Sequence, residues 1–339
     1  MQVNTEIDFE RFTYTPADRQ IWEEELDAFV PSTIYDAHYH LWSEDAIASD
    51  HPQRGALLEV DRAGAQSFDR QMFPDREIEY LILGTPLRNI DVDHHNRFIA
   101  AEMKPAKNVR IHRLVTPQCS VDNIRRDVET LGFTGLKPYR IYSLTGDPNQ
   151  CRIHEFLTHE QMELANDLGL WVTMHLSQHQ GCADPDNLAD LQEYTTRRYP
   201  NIKWILAHCA RSFTYYAIRQ AVERLRDLPN IWYDTSAVCD VMSHYTLFKN
   251  EDHRRIFYGS DNMLGCAFHG AYASMGRFWY QVGVPTKCGE VPLHTDARPV
   301  LVIYQQLLCM KHAAELAELS PSQINDIFYG NARAALMLE

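Results

Sequence analysis

Residues 33–40, TIYDAHYH, are the most informative segment of the chain for its fold. Its first half, Thr33–Ala37, is β-branched and apolar and predicts a buried β-strand. The strand closes on His38 and His40, and alternation along a strand places these two imidazoles on one face. Two imidazoles at a strand end are half of a divalent metal site. Because the chain has 16 histidines, such a pair also arises by chance, so the rest of the sequence has to decide.

Seven further runs of this kind follow, most of them trailed by a longer helical pattern. Successive strands begin 24 to 46 residues apart, which is the spacing of repeated strand–helix units with a parallel sheet. Eight units predict an α/β fold, a (β/α)8 TIM barrel, and the glycine-rich phosphate turn typical of an open doubly wound sheet is missing. The later predicted strands are Glu79–Leu83, Arg110–Val115, Thr134–Lys137, Leu170–Met174, Lys203–Ala207, Ile231–Asp234 and Arg255–Gly259.

Helices and flanking segments complete the predicted domain organisation. We expect an N-terminal helical extension over residues 1–32, with one acidic helix at Pro16–Phe29, and a metal-dependent domain over 33–339. A C-terminal amphipathic helix is predicted at Ser320–Leu338. From Asp261 to about Pro299 the sequence reads as irregular, and we expect a lid or a subunit contact there, within 265–298. The predicted helices inside the barrel are Val92–Met103, Val121–Leu131, Thr158–Asp167, Pro185–Arg198 and Tyr215–Leu228.

Composition bounds the partners. The chain has 339 residues, 45% hydrophobic and 23% charged, as in ordinary globular proteins. A net charge of −14 argues against a nucleic-acid partner, which needs clustered Lys and Arg. No apolar run is long enough to span a membrane, no signal-peptide pattern opens the chain, and the eight cysteines are scattered. We therefore expect a cytoplasmic protein with a small-molecule substrate, and leave a homo-oligomer open.

Three more polar residues end predicted strands. His175 and His208 close the fifth and sixth runs, and Asp261 follows the eighth. A barrel gathers the C-terminal ends of its strands at one face, where active sites are built. These three residues therefore join His38 and His40, giving four ligands for zinc or a similar ion, or three ligands and a base. We expect one divalent ion, with zinc favoured over manganese or iron.

Other residues on the same face are candidates for contact with a substrate. Lys137 ends the fourth strand and is predicted as a substrate-anion contact or a structural ion pair. Arg140 and Arg211, in the loops above, are forks suited to a carboxylate, although each is equally a surface arginine. Trp42 is either a pocket wall or a packing residue. His179 is a loop residue that touches the substrate or lies in solvent.

Two further polar positions are predicted from their place in an element. Asp36 shares the face of His38 and is expected to orient a ligand or a neighbouring backbone, one layer deeper in the barrel. His94 and His95 open an amphipathic helix, where solvated imidazoles are expected.

An ordered set of motifs resembles the amidohydrolase superfamily, specifically its amidohydrolase-2 group. The resemblance implies the barrel fold and a mostly mononuclear metal site. In binuclear members of the superfamily a carbamylated lysine of the fourth strand bridges two metals, so the resemblance adds a metal-bridging carbamate as a third alternative for Lys137. It implies that His38, His40, His175 and Asp261 hold the metal and that His208 polarises the substrate or activates water. The resemblance spans about residues 33–338, and its motifs are DAHYH at 36–40, FTGLK at 133–137, YDTS at 233–236, YGSD at 258–261 and GNAR at 330–333.

Two reactions use these residues differently. The leading hypothesis is a hydrolase that cleaves a small, anionic amide or lactone through a metal-activated water, with Asp261 moving the proton and His208 donating to the oxyanion. The alternative is a non-oxidative decarboxylase or hydratase of a small carboxylated substrate, with Asp261 delivering a proton to carbon. A catalytically silent barrel is a third reading, disfavoured because all five positions are filled.

Overall fold

Eight parallel strands form the centre of the molecule, and each pairs with the next in chain order, as predicted. The computed structural model describes residues 14–47, 59–263, 265–283 and 299–337. None of the helices described is long and apolar enough to cross a membrane. The strands are β1 Thr33–His40, β2 Glu77–Leu83, β3 Arg110–Val115, β4 Gly135–Pro138, β5 Trp171–Met174, β6 Lys203–Leu206, β7 Ile231–Asp234 and β8 Ile256–Phe257.

The sheet closes on itself through the segment that follows β8. The Tyr258 carbonyl accepts from the Ala37 amide at 2.9 Å, the His38 carbonyl accepts from the Asp261 amide at 2.7 Å, and His40 donates to the Asn262 carbonyl at 2.6 Å. A closed barrel has no free strand edge. Helices cover its outside and side chains fill its interior, so its apolar strands are buried on both faces. All four residues of β5 are buried, for example. The closure also carries Asp261 to the end of β1.

Helices cover the outside of the barrel, and their ends follow local chemistry. The Asp91 carboxylate accepts from the His94 amide at 2.9 Å and caps the third helix, while Gly132 ends the fourth at φ 80. The described α-helices are Pro16–Ile21, Arg62–Met72, Val92–Met103, Val121–Leu131, His159–Asp167, Pro185–Glu193, Tyr215–Leu225, Val241–Asn250, Val302–Ala317, Pro321–Asn325 and Asn331–Met337. Val92–Met103 and Val121–Leu131 match their predicted bounds.

One helical side chain contradicts its sequence prediction. His95 is fully buried rather than solvated, and its Nε2 accepts from the Thr85 amide at 2.9 Å. The amphipathic pattern assigned this position to the surface because histidine is polar. The backbone donor of Thr85 overrides that preference, since a buried amide needs an acceptor.

The N-terminal segment is more broken than the single predicted helix, and it packs on the barrel. The α-helix Pro16–Ile21 runs into a π-helical turn at Trp22–Leu26, and both end residues of that turn are buried. Asp18 is fully buried and accepts from the Leu301 amide at 2.9 Å. The division of the chain between residues 32 and 33 stays a prediction.

The stretch after the barrel contains regular structure where the sequence predicted an irregular segment. β9 Gly270–Met275 and β10 Phe278–Gly283 form an antiparallel hairpin, with Gly276 at φ 65 in the turn. The prediction was wrong here because the glycine and aromatic residues belong to a hairpin. The remainder, 284–298, lies outside the described residues. The predicted C-terminal helix is two helices joined by a π-helical turn at Asp326–Gly330.

Candidate metal centre and active site

All five side chains predicted at the strand ends line one cavity of about 240 Å³. The cavity lies where the C-terminal ends of the strands meet, so the barrel places residues from β1, β5, β6 and the segment after β8 together. Its lining residues are His38, His40, His175, His208, Asp261, Pro86, Tyr139, Arg140, Ile141, Gly265 and Tyr272.

The four imidazoles share one hydrogen-bonding arrangement. Each ring has its Nδ1 beside a carbonyl or carboxylate oxygen, which only accepts, so Nδ1 carries the proton in the neutral ring. Nε2 is then a lone pair, as a metal ligand requires. The partners are Asp234 Oδ2 for His38 at 2.9 Å, Leu83 O for His40 at 3.2 Å, Leu176 O for His175 at 3.2 Å and Ser236 O for His208 at 3.0 Å.

Three acceptors converge at the end of β1. Asp261 Oδ1 lies 3.3 Å from His38 Nε2 and 3.1 Å from His40 Nε2. Two lone pairs and a carboxylate oxygen repel one another unless a cation lies among them. Burial raises the pKa of Asp261, but its close contacts with the rings of His40, His38 and His208 lower it to about 2, so the group is anionic. The ligand atoms of His38, His40 and Asp261 all lie within 4.8 Å of one another, and this set of nitrogen and oxygen donors fits a divalent ion.

Asp234, at the end of β7, is a site residue that the sequence reasoning did not select. Its Oδ2 accepts from His38, and its Oδ1 accepts from the backbone amides of His208 at 3.0 Å and Ser236 at 3.1 Å. With His38 and His208 it forms a second group of potential ligands, all of them buried. Asp234 ends an apolar strand as the predicted residues do, so the same rule would have found it.

His175 lies on the cavity but in neither of these two groups of possible ligands. Its ring centroid is 4.9 Å from that of His208. Burial, with the neighbouring His208 and two arginines, lowers its pKa well below the usual value, so the ring is neutral. Its role as a fourth metal ligand stays a prediction.

His208 begins a left-handed turn. His208, Cys209, Ala210 and Arg211 have φ of 60, 49, 57 and 60, and the Ser212 amide donates to the His208 carbonyl at 2.8 Å. Four consecutive non-glycine residues in this region cost about 1–2 kcal/mol each. Strain of this kind is characteristic of functional sites. The turn presents His208 to the cavity and carries Arg211 above it.

An aromatic stack holds the other face of the His208 ring. Phe213 stacks on His208 with centroids 5.2 Å apart and an interplanar angle of 30°. Trp279, from the hairpin, lies 4.5 Å from the Phe213 ring, and Tyr272, from the same hairpin, lines the cavity. The hairpin thus forms part of the site, within the stretch for which the sequence predicted a lid or a subunit contact; that role stays a prediction.

Lys137 lies against the ring of His38. Its side chain is fully buried, its Nζ is 3.4 Å from His38 Nε2, and it lies over the Tyr139 ring at 4.9 Å. Burial lowers its pKa to about 8. Within the described part of the chain no carboxylate lies within 4 Å of Nζ, so the predicted ion pair is not formed there. The carbamate and the substrate contact stay predictions.

The remaining predicted residues lie at different distances from the site. Asp36 is confirmed to orient backbone: its Oδ1 accepts from the amides of His38 at 3.1 Å and Ser260 at 3.0 Å. Trp42 packs in a hydrophobic cluster beside β1 and does not line the cavity. His179 is exposed in the loop after β5. Substrate contacts for these last two stay predictions.

Comparisons with known proteins agree with this architecture. The model of a protein family described as amidohydrolase matches residues 35–338 of this chain. The comparison with curated proteins gives no match. Similar solved structures include 5-carboxyvanillate decarboxylase from Sphingomonas paucimobilis, with TM-score 0.59, 13% identity, and coverage of 91% of this chain and 100% of that one.

Two other solved structures widen the comparison. A dihydroxybenzoic acid decarboxylase from Polaromonas, with bound manganese and 2-nitroresorcinol, has TM-score 0.54, 12% identity, and coverage of 90% and 96% of the two chains. A putative 2-pyrone-4,6-dicarboxylic acid hydrolase from Pseudomonas putida has TM-score 0.55, 12% identity, and coverage of 91% and 100%. At such identities the likeness shows the fold alone.

Proposed function

The chain belongs to the amidohydrolase family, and from this premise we propose that it is a metal-dependent, non-oxidative decarboxylase of a small, hydroxylated and carboxylated ring. His38, His40 and Asp261 hold the metal, with His175 as the fourth ligand. Two of the similar structures described above are decarboxylases of such rings, and one of these binds manganese. We therefore place manganese beside zinc as the resident ion.

The observation that carries the proposal is the hydrogen bonding of His208. Its Nδ1 proton is given to the Ser236 carbonyl, and burial lowers its pKa, so the neutral ring offers an acceptor to the cavity. Hydrolysis in which His208 stabilises the oxyanion requires this residue to donate a hydrogen bond. An acceptor instead suits a substrate hydroxyl, which is what a hydroxylated ring presents.

Asp261 carries the proton in the proposed reaction. When bound, the metal ion supplies a Lewis acid for the substrate carboxylate and the neighbouring hydroxyl. The ionised Asp261 takes the hydroxyl proton and then gives it to the ring carbon that bears the carboxylate. The bond from this carbon to the carboxylate breaks, its electron pair returns to the ring, and CO2 leaves. Water restores the proton of the hydroxyl group, so one proton is consumed for each CO2.

Hydrolysis of a lactone or amide is the second candidate, because a pyrone hydrolase has the same fold. One assay separates the two reactions. Protein loaded with manganese or zinc is incubated in ¹⁸O-labelled water with hydroxybenzoates, lactones and acyl-amino compounds, while CO2 release and ¹⁸O in the product are measured. CO2 without ¹⁸O in the product supports the proposal, and ¹⁸O without CO2 contradicts it.

Replacement of the proton carrier tests its role. Asp261→Asn removes both the base and a metal ligand, and we expect at least a 10²- to 10⁴-fold loss of CO2 release. Asp240→Asn is the control: Asp240 caps the helix Val241–Asn250, and asparagine caps equally well. Equal activity of the Asp261→Asn variant and the native chain would remove Asp261 from the mechanism.

A further inference from the structure

Two arginines follow the C-terminal ends of β4 and β6, on the face of the barrel where the cavity lies. Arg140 lies in the turn after β4 and lines the cavity. Arg211 ends the left-handed turn that begins at His208. Backbone carbonyls hold one nitrogen of each: Pro148 accepts from Arg140 Nη1 at 2.9 Å, and Gln178 accepts from Arg211 Nη1 at 2.8 Å. Each guanidinium is therefore positioned, and other N–H donors of each fork remain.

The two charges are not neutralised by the protein. Within the described ranges no carboxylate lies within 4 Å of either guanidinium, whereas Arg113 and Arg152 each have two. Burial, with the charge of Arg140 as a second cause, lowers the pKa of Arg211 to about 9. Partly buried cations without an anion are costly, and a bound anion removes that cost.

This pair is distinct from the metal ligands but opens on the same space. Arg140 lines the cavity together with His38, His40 and Asp261. Arg211 Nη1 donates to the carbonyl of Gln178, in the loop that follows His175, so its guanidinium lies on the β5 side of the barrel face where the cavity lies. Tyr139, Ile141 and Tyr272 supply ring and alkyl surface for the rest of the lining. A volume of about 240 Å³ suits one ring with short substituents.

We propose that Arg140 and Arg211 form a second anion subsite, which binds a carboxylate that the reaction does not remove, so that the substrate is a dicarboxylate. One carboxylate lies at the metal ligands and leaves as CO2, while the other is held by the two forks. This inference rests on the proposed function for the fate of the first carboxylate only. A planar fork matches a carboxylate or a phosphate, and the experiment separates these two.

Binding without turnover tests the subsite. Calorimetry on the metal-loaded full chain compares benzoate with phthalate, isophthalate and terephthalate, and each of these with its phosphonobenzoate. We expect at least one dicarboxylate to bind about 10- to 100-fold more tightly than benzoate, as hydrogen bonds to charged groups allow. In Arg140→Gln and Arg211→Gln this preference falls below about threefold, while the affinity for benzoate stays within about threefold.

The controls keep the outcome decisive. Arg224→Gln removes an exposed arginine of the helix Tyr215–Leu225 and retains the preference. If a glutamine variant does not fold, Arg140→Lys and Arg211→Lys keep the charge but lose the fork, and the preference falls about three- to tenfold. No preference for any dicarboxylate, a preference that survives both arginine substitutions, or tenfold tighter binding of a phosphonobenzoate would overturn the assignment. The preference without CO2 release refutes the reaction alone, and CO2 release without the preference refutes the subsite alone.

Discussion

At the scale of single residues, Asp234 joins two histidines from distant strands. One oxygen accepts from the His38 ring and the other from the His208 amide. Such carboxylates fix the orientation and tautomer of a ligating imidazole. The proposed metal site therefore depends on a residue that need not touch the metal itself.

A substitution at Asp234 isolates this effect. Asp234→Asn keeps the size but replaces one acceptor oxygen by a donor, so His38 loses its fixed orientation. We expect a 10- to 100-fold weaker affinity for zinc or manganese, measured by titration against a competing chelator. Asp240→Asn, in the following loop, should leave the affinity unchanged. Unaltered affinity in Asp234→Asn would show that His38 is oriented by other contacts.

Some features of the site could be predicted from the sequence and others could not. His38, His40, His175, His208 and Asp261 were found because each ends an apolar run, and the barrel brings strand ends together. The hydrogen bonds from Nδ1 of His38 to Asp234 and from Nδ1 of His40 to the Leu83 carbonyl were not predictable, because both acceptors lie on strands far away in sequence. Hydrogen bonds between distant strands depend on the register of the closed sheet, which the residue pattern does not specify.

At the scale of elements, the longest described helix ends in an unfavourable residue. Glu318 closes Val302–Ala317 in the left-handed region, at φ 59 and ψ 38, and its side chain is exposed. Glycine adopts this conformation without the clash of a Cβ atom. We expect Glu318→Gly to raise the free energy of unfolding by about 0.5–1 kcal/mol, measured by urea denaturation.

The reverse substitution provides the matched control. Gly132 closes Val121–Leu131 at φ 80, and a Cβ there would meet nothing within 4 Å. Gly132→Ala should therefore lower the free energy of unfolding by about 1 kcal/mol through conformation alone. A stabilising Gly132→Ala, or a destabilising Glu318→Gly, would refute the argument.

Element boundaries show what the sequence specifies locally. β3 Arg110–Val115 and β7 Ile231–Asp234 match their predicted bounds, and in β7 three of the four residues are β-branched or aromatic. β8 is shorter than its prediction of Arg255–Gly259, since the chain turns there to close the barrel on β1. The hairpin at 270–283 was missed although Gly276 separates two strand-like runs, which is a local signal for a turn.

At the scale of the whole molecule, buried titratable groups set the response to pH. Burial lowers the pKa of His95 and His112 to about 3 and of His244 to about 4. Below about pH 6.5 the unfolded chain binds protons that these rings refuse, so stability falls as the pH drops. Burial raises the pKa of Asp36 to about 8 and of Asp69 to about 7, and the stability they contribute is lost as pH rises through these values.

We therefore expect maximal stability near pH 6.5, because the histidines outnumber the carboxyls below that pH and the carboxyls dominate between pH 6.5 and about 8. Melting temperatures by circular dichroism at pH 5, 6.5 and 8.5 measure this. Asp69→Asn should flatten the alkaline side of the profile. A melting temperature that rises steadily to pH 8.5 would contradict the assignment.

The left-handed turn at His208–Arg211 has a consequence for how the molecule matures. Four residues of this handedness represent about 4–8 kcal/mol of unfavourable backbone conformation, which a short peptide of the same sequence would release by adopting another shape. Only the assembled neighbours, Asp234 and Ser236 among them, hold it in place. We therefore expect β7 to join the sheet before His208 and Arg211 adopt the conformations that they have in the folded protein.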